Sequence, residues 1–319
     1  MMIKKLLFIA TLICCQLSYA ADKTVLRLGV LAYGTVNWEL DVMRQAKQME
    51  TDRYLLQIMP MANPQAGKIA LQSGAVDIIV ADWIWVSYQR SLGRDYAFYP
   101  YSNATGALVV AKESVIKTWQ DLKGKRLAIA GGELDKNSLL LQALMQKQGQ
   151  GELFQGIEKV YGAPPLLTQQ LKQQRVDALL TYWHYAARLD AVGYRVLMTG
   201  ADILQGLGIE QKVPSIGFVF NRTWAERHRL VIQSFLEQSK QAKNTLCTNN
   251  AAWQSINKLT HNQSEQESLL LRQRYCDGRV NHWGEEEQQT AGLIFQYLKE
   301  ISQQRLTGKS EIIQAGTFW

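Results

Sequence analysis

The chain has 319 residues, with 35 Lys+Arg against 28 Asp+Glu and a formal charge of +7. Hydrophobic residues make up 47% and charged residues 20%, which excludes a disordered or collagen-like chain, and four cysteines are too few for a disulfide scaffold. The length fits about two domains, each large enough to bury its own core.

The first residues have the form of an export signal. Lys4 and Lys5 precede an apolar run over 6–17, and Ser18-Tyr19-Ala20 places small residues at both positions that a signal peptidase reads. The run is short for a bilayer span, so cleavage after Ala20 and a periplasmic location are expected. Cys14 and Cys15 raise the alternative of a lipid anchor, but Ile13 and Cys14 ahead of them are poor small-residue sites. Removing 1–20 lowers the formal charge from +7 to +5 and leaves two cysteines, Cys247 and Cys276. In a compartment that permits disulfides they are expected to form one bridge; two separate buried thiols are the alternative.

The hydrophobic pattern then alternates between strand and helix. Residues 24–31 (TVLRLGVL) read as a strand, 33–37 as a turn, and 38–49 as a helix on the spacing of Leu40, Met43, Ala46 and Met49. A strand at 54–59, a helix at 64–73 and a buried strand at 76–81 follow, and Asp82 is placed to cap a helix over 83–92. The pattern restarts after an extended stretch at 106–112. It gives a short helix at 117–122, a strand at 126–130 ending in Gly131-Gly132, and a helix over 135–148. A helix at 165–174, a strand at 176–180, a helix at 182–192 and a strand at 195–198 complete the second unit. Strands alternating with helices predict parallel α/β sheets. Residues 213–220 are extended again, and helices at 222–244, 251–258, 264–276 and 284–303 end the chain. Two extended stretches therefore flank the middle unit. That layout predicts a signal at 1–20, a first lobe from 21–108 and 210–319, and a second lobe from 109–209, with a ligand cleft between them.

Several segments carry a family likeness. Leu26-Arg27-Leu28-Gly29-Val30, Gly74-Ala75-Val76-Asp77-Ile78 and Leu171-Lys172-Gln173-Gln174-Arg175-Val176-Asp177-Ala178 resemble segments of periplasmic solute-binding proteins of ABC importers. The run from Trp119-Gln120-Asp121-Leu122-Lys123-Gly124-Lys125-Arg126 to Gly131-Gly132 is similar to the signature that opens the second lobe of the nitrate/taurine/sulfonate, NMT1-like type. The resemblance covers nearly all of the chain after the leader. It implies the type II periplasmic-binding-protein fold, two doubly wound lobes joined by two hinge crossings, with no catalysis and no cofactor. It also implies a monomer that delivers a small molecule to an ABC permease in the inner membrane. The chain departs from its relatives at Asp82-Trp83-Ile84-Trp85 and Tyr182-Trp183-His184-Tyr185, aromatic where many carry small residues. Nitrate or taurine is therefore not carried over as the ligand.

Ligands of open α/β sheets sit beyond the carboxyl ends of the strands. The residues placed there are Thr35, Asn37 and Trp38 after the first strand, Asp82 and Trp83 after the third, and Asn103 and Thr105 at the crossing. In the second unit they are Asp135, Lys136 and Ser138 after Gly131-Gly132, and Tyr182 and Trp183. Asp82 and Asp135 serve equally as helix caps or ligand contacts. Trp38, Trp83 and Trp183 offer flat apolar faces, and with Asp82 they predict a cage for an aromatic or cationic ligand.

Other classes fit less well. The four histidines are scattered, no nucleophile elbow or phosphate loop is present, and Arg222, Arg227 and Arg229 lie among polar groups rather than on a basic stripe, so enzyme and nucleic-acid readings fail. Asp82, Glu133 and Asp135 leave a metal or metal-chelate receptor as an alternative, and a non-transport sensor with the same fold as another.

Overall fold

The computed structural model describes residues 23–319, so the signal and cleavage site expected from the sequence lie outside the described residues. Ten strands build two five-stranded sheets. The first has the order β2-β1-β3-β10-β4, from Tyr54–Met61 (β2), Thr24–Leu31 (β1), Ile78–Ala81 (β3), Ile216–Asn221 (β10) and Tyr96–Ser102 (β4). The second has the order β7-β6-β8-β5-β9, from Glu158–Gly162 (β7), Arg126–Ala130 (β6), Ala178–Thr181 (β8), Ala107–Val110 (β5) and Arg195–Thr199 (β9).

The two sheets repeat one construction. In each, a strand pairs in parallel with two neighbours through right-sized helical connections, and the aspartate of the Val-Asp motif pins the returning strand. Asp77 Oδ2 accepts from the backbone N–H of Arg27 at 2.8 Å, and Asp177 Oδ2 from that of Arg126 at 2.7 Å. The reciprocal backbone bonds, Asp77 N to Arg27 O and Asp177 N to Arg126 O, complete both clamps. These aspartates are therefore structural, and each is reinforced by the arginine it faces.

The sheets are mixed rather than wholly parallel, which corrects the reading from strand-helix alternation. β10 runs antiparallel to β3 and β4, and β5 antiparallel to β8 and β9. Each antiparallel strand is the one that follows a passage between the sheets, so it enters its sheet from the edge where the other strands end. A strand also forms at Tyr96–Ser102, where the sequence pattern showed none; Pro100 hides it. Pro100 is tolerated because β4 closes one end of the strand order and a register shift falls beside it. Beyond it, Phe98 exchanges backbone bonds with Thr317 and Trp319.

Buried leucine, isoleucine and valine from both sheets fill the interior, with Leu28, Ile78, Leu108, Val109, Leu127 and Leu179 wholly enclosed. Each such side chain contributes about 1.5–3 kcal/mol. The last helices lean on both units. Glu265–Asp277 packs against Trp183–Ala191, and Glu285–Ile301 against Lys136–Lys147. The helix expected over 222–244 breaks at His228 into Arg222–Arg227 and Arg229–Thr248. Among the described residues no helix is long and apolar enough to cross a membrane.

Cys247 and Cys276 form a disulfide that joins the helices Arg229–Thr248 and Glu265–Asp277 across 29 positions of sequence. One turn before Cys247, Lys243 donates to Tyr101 O, and beside Cys276 the Tyr275 hydroxyl donates to Glu39. Glu39 is fully buried and also accepts from Tyr101, with Lys243 at 3.6 Å. Burial raises its carboxyl, and the lysine and both phenols oppose that shift. Closing a loop of this size is worth about 3 kcal/mol in the unfolded state. Replacing both cysteines by serine is thus expected to lower the unfolding free energy from urea titration by about that amount; an unchanged free energy would show that the bond carries no stability.

Candidate functional site

The carboxyl ends of β1, β3, β6 and β8 face one another between the sheets. Asp82 follows β3 and uses its two oxygens for different tasks. Oδ1 accepts from Trp85 N at 2.9 Å and caps the helix Trp83–Ser91. Oδ2 receives the Lys136 ammonium at 2.8 Å, and the Lys68 ammonium stands 3.7 Å away. The cap expected from the sequence is formed, and the second oxygen faces Lys136 across the gap. The two ammoniums hold the Asp82 carboxyl well below the usual carboxylate range, against its burial.

Lys136 comes from the second unit, so this pair spans the gap between the two sheets. It opens the helix Lys136–Lys147, where a cation opposes the helix dipole, and Asp82 supplies the compensating anion. Lys68 comes from Pro64–Gln72, a helix capped by Asn63 Oδ1 on Ala66 N at 2.9 Å. Its ammonium lies 5.2 Å from the centre of the Trp85 ring, which stacks on Tyr96. Burial and the neighbouring Lys136 push the Lys68 ammonium down, and Asp82 pulls it back up.

Asp135 forms the opposite wall. Its Oδ1 accepts from Ser138 N at 2.9 Å and caps the same helix that Lys136 opens. Gly131 and Gly132 reach it through φ of 111° and 137°, which a side chain would strain. Asp135 Oδ2 and the Tyr182 hydroxyl both lie within 4 Å of the point where a Gly131 side chain would start. Burial raises the Asp135 carboxyl to about 6, opposed by its backbone bonds and by Lys136. Burial, with Tyr33, Asp135 and Tyr185 nearby, raises the Tyr182 phenol, so it remains a neutral hydroxyl. Asp82, Lys136, Asp135 and Tyr182 are therefore brought together, with Ser138 buried behind them. Lys68, Tyr33 and Tyr185 join them.

The other expected contacts go elsewhere. Trp38 is 3% exposed and packs edge-on against Trp183 and Trp253. Trp83 is 1% exposed, donates to Pro214 O at 3.1 Å and packs on Phe318. These rings complete two different cores, so the aromatic cage does not form; a strand end fixes the backbone but not which side a ring takes. Asn37 spends its amide on the carbonyls of Leu31 and Gly34, shaping its own turn. Thr35 sits beside the Tyr101 hydroxyl.

Asn103, Thr105 and Trp183 instead line a pocket of about 300 Å³ at the passages between the sheets, with Lys212 and Arg274. There Gly200 N donates to Gly106 O at 2.8 Å, and a side chain on Gly106 would strike Thr181 O. The oxygen set for a metal is not assembled. Glu133 pairs outward with Arg305 at 3.0 Å, and among the described residues no three His, Cys, Asp or Glu side chains converge.

Two mixed sheets, interleaved by strands that pass from one to the other and facing each other across an ion-paired gap, define the type II periplasmic-binding-protein fold. The chain belongs to the NMT1/THI5-like family, whose model matches residues 56–251. A putative aliphatic sulfonates-binding protein of Escherichia coli K12 is 30% identical over 207 residues, 63% of this chain. The match spans 56% of that relative's own length. Among solved structures, the alkanesulfonate-binding protein SsuA of Xanthomonas axonopodis pv. citri bound to MOPS aligns with a TM-score of 0.71 at 18% identity. That alignment covers 94% of this chain and 99% of that one. The periplasmic aliphatic sulphonate binding protein SsuA of Escherichia coli gives 0.70 at 20% identity, covering 93% and 97%.

The raised carboxyl of Asp135 has a stability consequence with a definite sign. Above about pH 6 the group is ionised in both folded and unfolded chains and its burial cost is present in full. Below its ordinary value of 3.8 it is protonated in both and the cost vanishes. Asp135→Asn, which keeps the cap, is expected to stabilise the protein by about 3 kcal/mol at pH 8 and by little at pH 3. Equal stabilities at both pH values would remove the buried carboxylate from the account.

Proposed function

We propose that this protein is the periplasmic solute-binding component of an ABC importer and that it holds a small organic anion between its two sheets. Residues 21–108 with 210–319 act as one lobe and 109–209 as the other, the passages near 103–106 and 209–215 serving as the hinge. One observation carries the reading: two ammoniums, one from each unit, converge on a single carboxylate oxygen at the start of a helix. An acidic group that enters the gap meets Lys136 and Lys68 from both sides, and closure of the lobes brings those cations together. Names given to the relatives support aliphatic sulfonates as the leading class, with carboxylates of similar size next. Tyr182, Tyr33 and Tyr185 supply hydroxyls and flat faces for the body of such a molecule.

The expectation of an aromatic or cationic ligand rested on the tryptophan cage, and the burial of Trp38 and Trp83 removes its basis. Membership of the family supports delivery to a membrane permease. The site offers no nucleophile with an adjacent base, so the reading is binding rather than turnover.

Isothermal titration with an alkanesulfonate series, matched carboxylates, amines and pyrimidines checks this. Binding of at least one anion, with compaction in small-angle scattering, is expected. Affinity should rise several-fold from pH 7.5 to 5.5, as Asp135 takes up its proton beside Lys136. Binding of amines alone would refute the proposal.

A further inference from the structure

Lys68 stands out among the charged groups of the gap because its side chain is largely buried yet its ammonium makes no hydrogen bond among the described residues. Its side chain is 17% exposed. The nearest anion, Asp82 Oδ2, is 3.7 Å away, beyond hydrogen-bond distance, and that oxygen is already held by Lys136 at 2.8 Å. The other oxygen of Asp82 is committed to Trp85 N. Asp82 therefore has little left to offer a second cation.

The position of Lys68 is fixed despite this. Asn63 and Pro64 set the start of its helix, and Gly67 beside it sits over Ile79 and Met61 of the sheet. Trp85, stacked on Tyr96, lies alongside the ammonium. A lysine in free solution spends three donors on water. Here the stem is buried and the head is aimed at the shared carboxylate with its donors largely unspent. Such a group gains most from an acceptor that arrives with a negative charge.

We infer that Lys68 is the residue by which this protein selects an acidic ligand over its neutral counterpart, donating hydrogen bonds directly to the acid oxygens. Lys136 has a different duty: it holds the two units together through Asp82 and contributes only charge. This assignment rests on the reading of the protein as a binder of organic anions and adds the side chain that does the choosing. The neutral form of a ligand, such as an amide, presents a weaker acceptor to the same ammonium and adds donors that Lys68 cannot accept from.

The test uses the intact protein and two probes, butanesulfonate and butanesulfonamide, with the protein's unfolding midpoint recorded for every variant. Wild type is expected to bind the sulfonate at least about 10-fold more tightly than the sulfonamide, since a hydrogen bond to a charged group is worth about 1.5–3 kcal/mol. Lys68→Met should keep the apolar stem and its midpoint, and bring the two affinities to within about threefold. Lys68→Arg should restore part of the preference. Should Lys68→Met fold and still prefer the sulfonate as wild type does, Lys68 is not the selecting group, although the anion reading survives. Wild type that binds neither sulfonates nor carboxylates overturns that reading itself. If Lys68→Met loses its midpoint, Lys68→Gln serves in its place and is judged by the same ratio.

Discussion

The arrangement depends on one carboxylate carrying three obligations. Asp82 ends a strand of the first sheet, caps the helix that follows, and faces an ammonium from the second unit. Its cap fixes the carboxylate in place, and the fixed carboxylate then makes a lysine tolerable at the start of Lys136–Lys147. Without Asp82, Lys136 would meet the positive end of its own helix dipole, and Lys68 would be an enclosed cation with no counter-ion. The two-sheet fold places these groups within a few ångströms because the carboxyl ends of β3 and β6 face each other across the gap.

Electrostatic balance at the site follows from this. Two ammoniums face Asp82, which stays ionised, and Asp135, which titrates near neutrality. At neutral pH the four charges nearly cancel, which keeps the ligand-free gap affordable. One proton on Asp135 tips the site positive. An anion that binds there replaces part of what the lysines receive from Asp82, so capture and lobe closure draw on the same interactions.

Much of this frame was legible in the sequence. Asp82 and Asp135 stand at strand-to-helix junctions, and the strand-helix alternation that restarts after 106–112 announced two similar units. Cys247 and Cys276 were the only cysteines left once the leader was set aside. What the sequence hid was three-dimensional. Lys68 lies in the middle of a helix, and only its reach to Asp82, 14 positions on, gives it meaning. Trp38 and Trp83 sit at strand ends as expected but turn inward, because large rings fill space where helices cross. Glu39 carried no expectation from the sequence. Its partners Tyr101, Lys243 and Tyr275 come from distant segments that no local pattern connects.

The central claim is that acid oxygens take their place between the two lysines that converge on Asp82. The most direct measurement is a crystal structure of the protein in complex with a bound alkanesulfonate. The account predicts sulfonate oxygens at about 3 Å from Lys68 Nζ, on the face of the gap that Lys136 also charges. A sulfonate seated instead in the pocket lined by Asn103, Thr105 and Trp183, with the Lys136–Asp82 pair undisturbed, would contradict it.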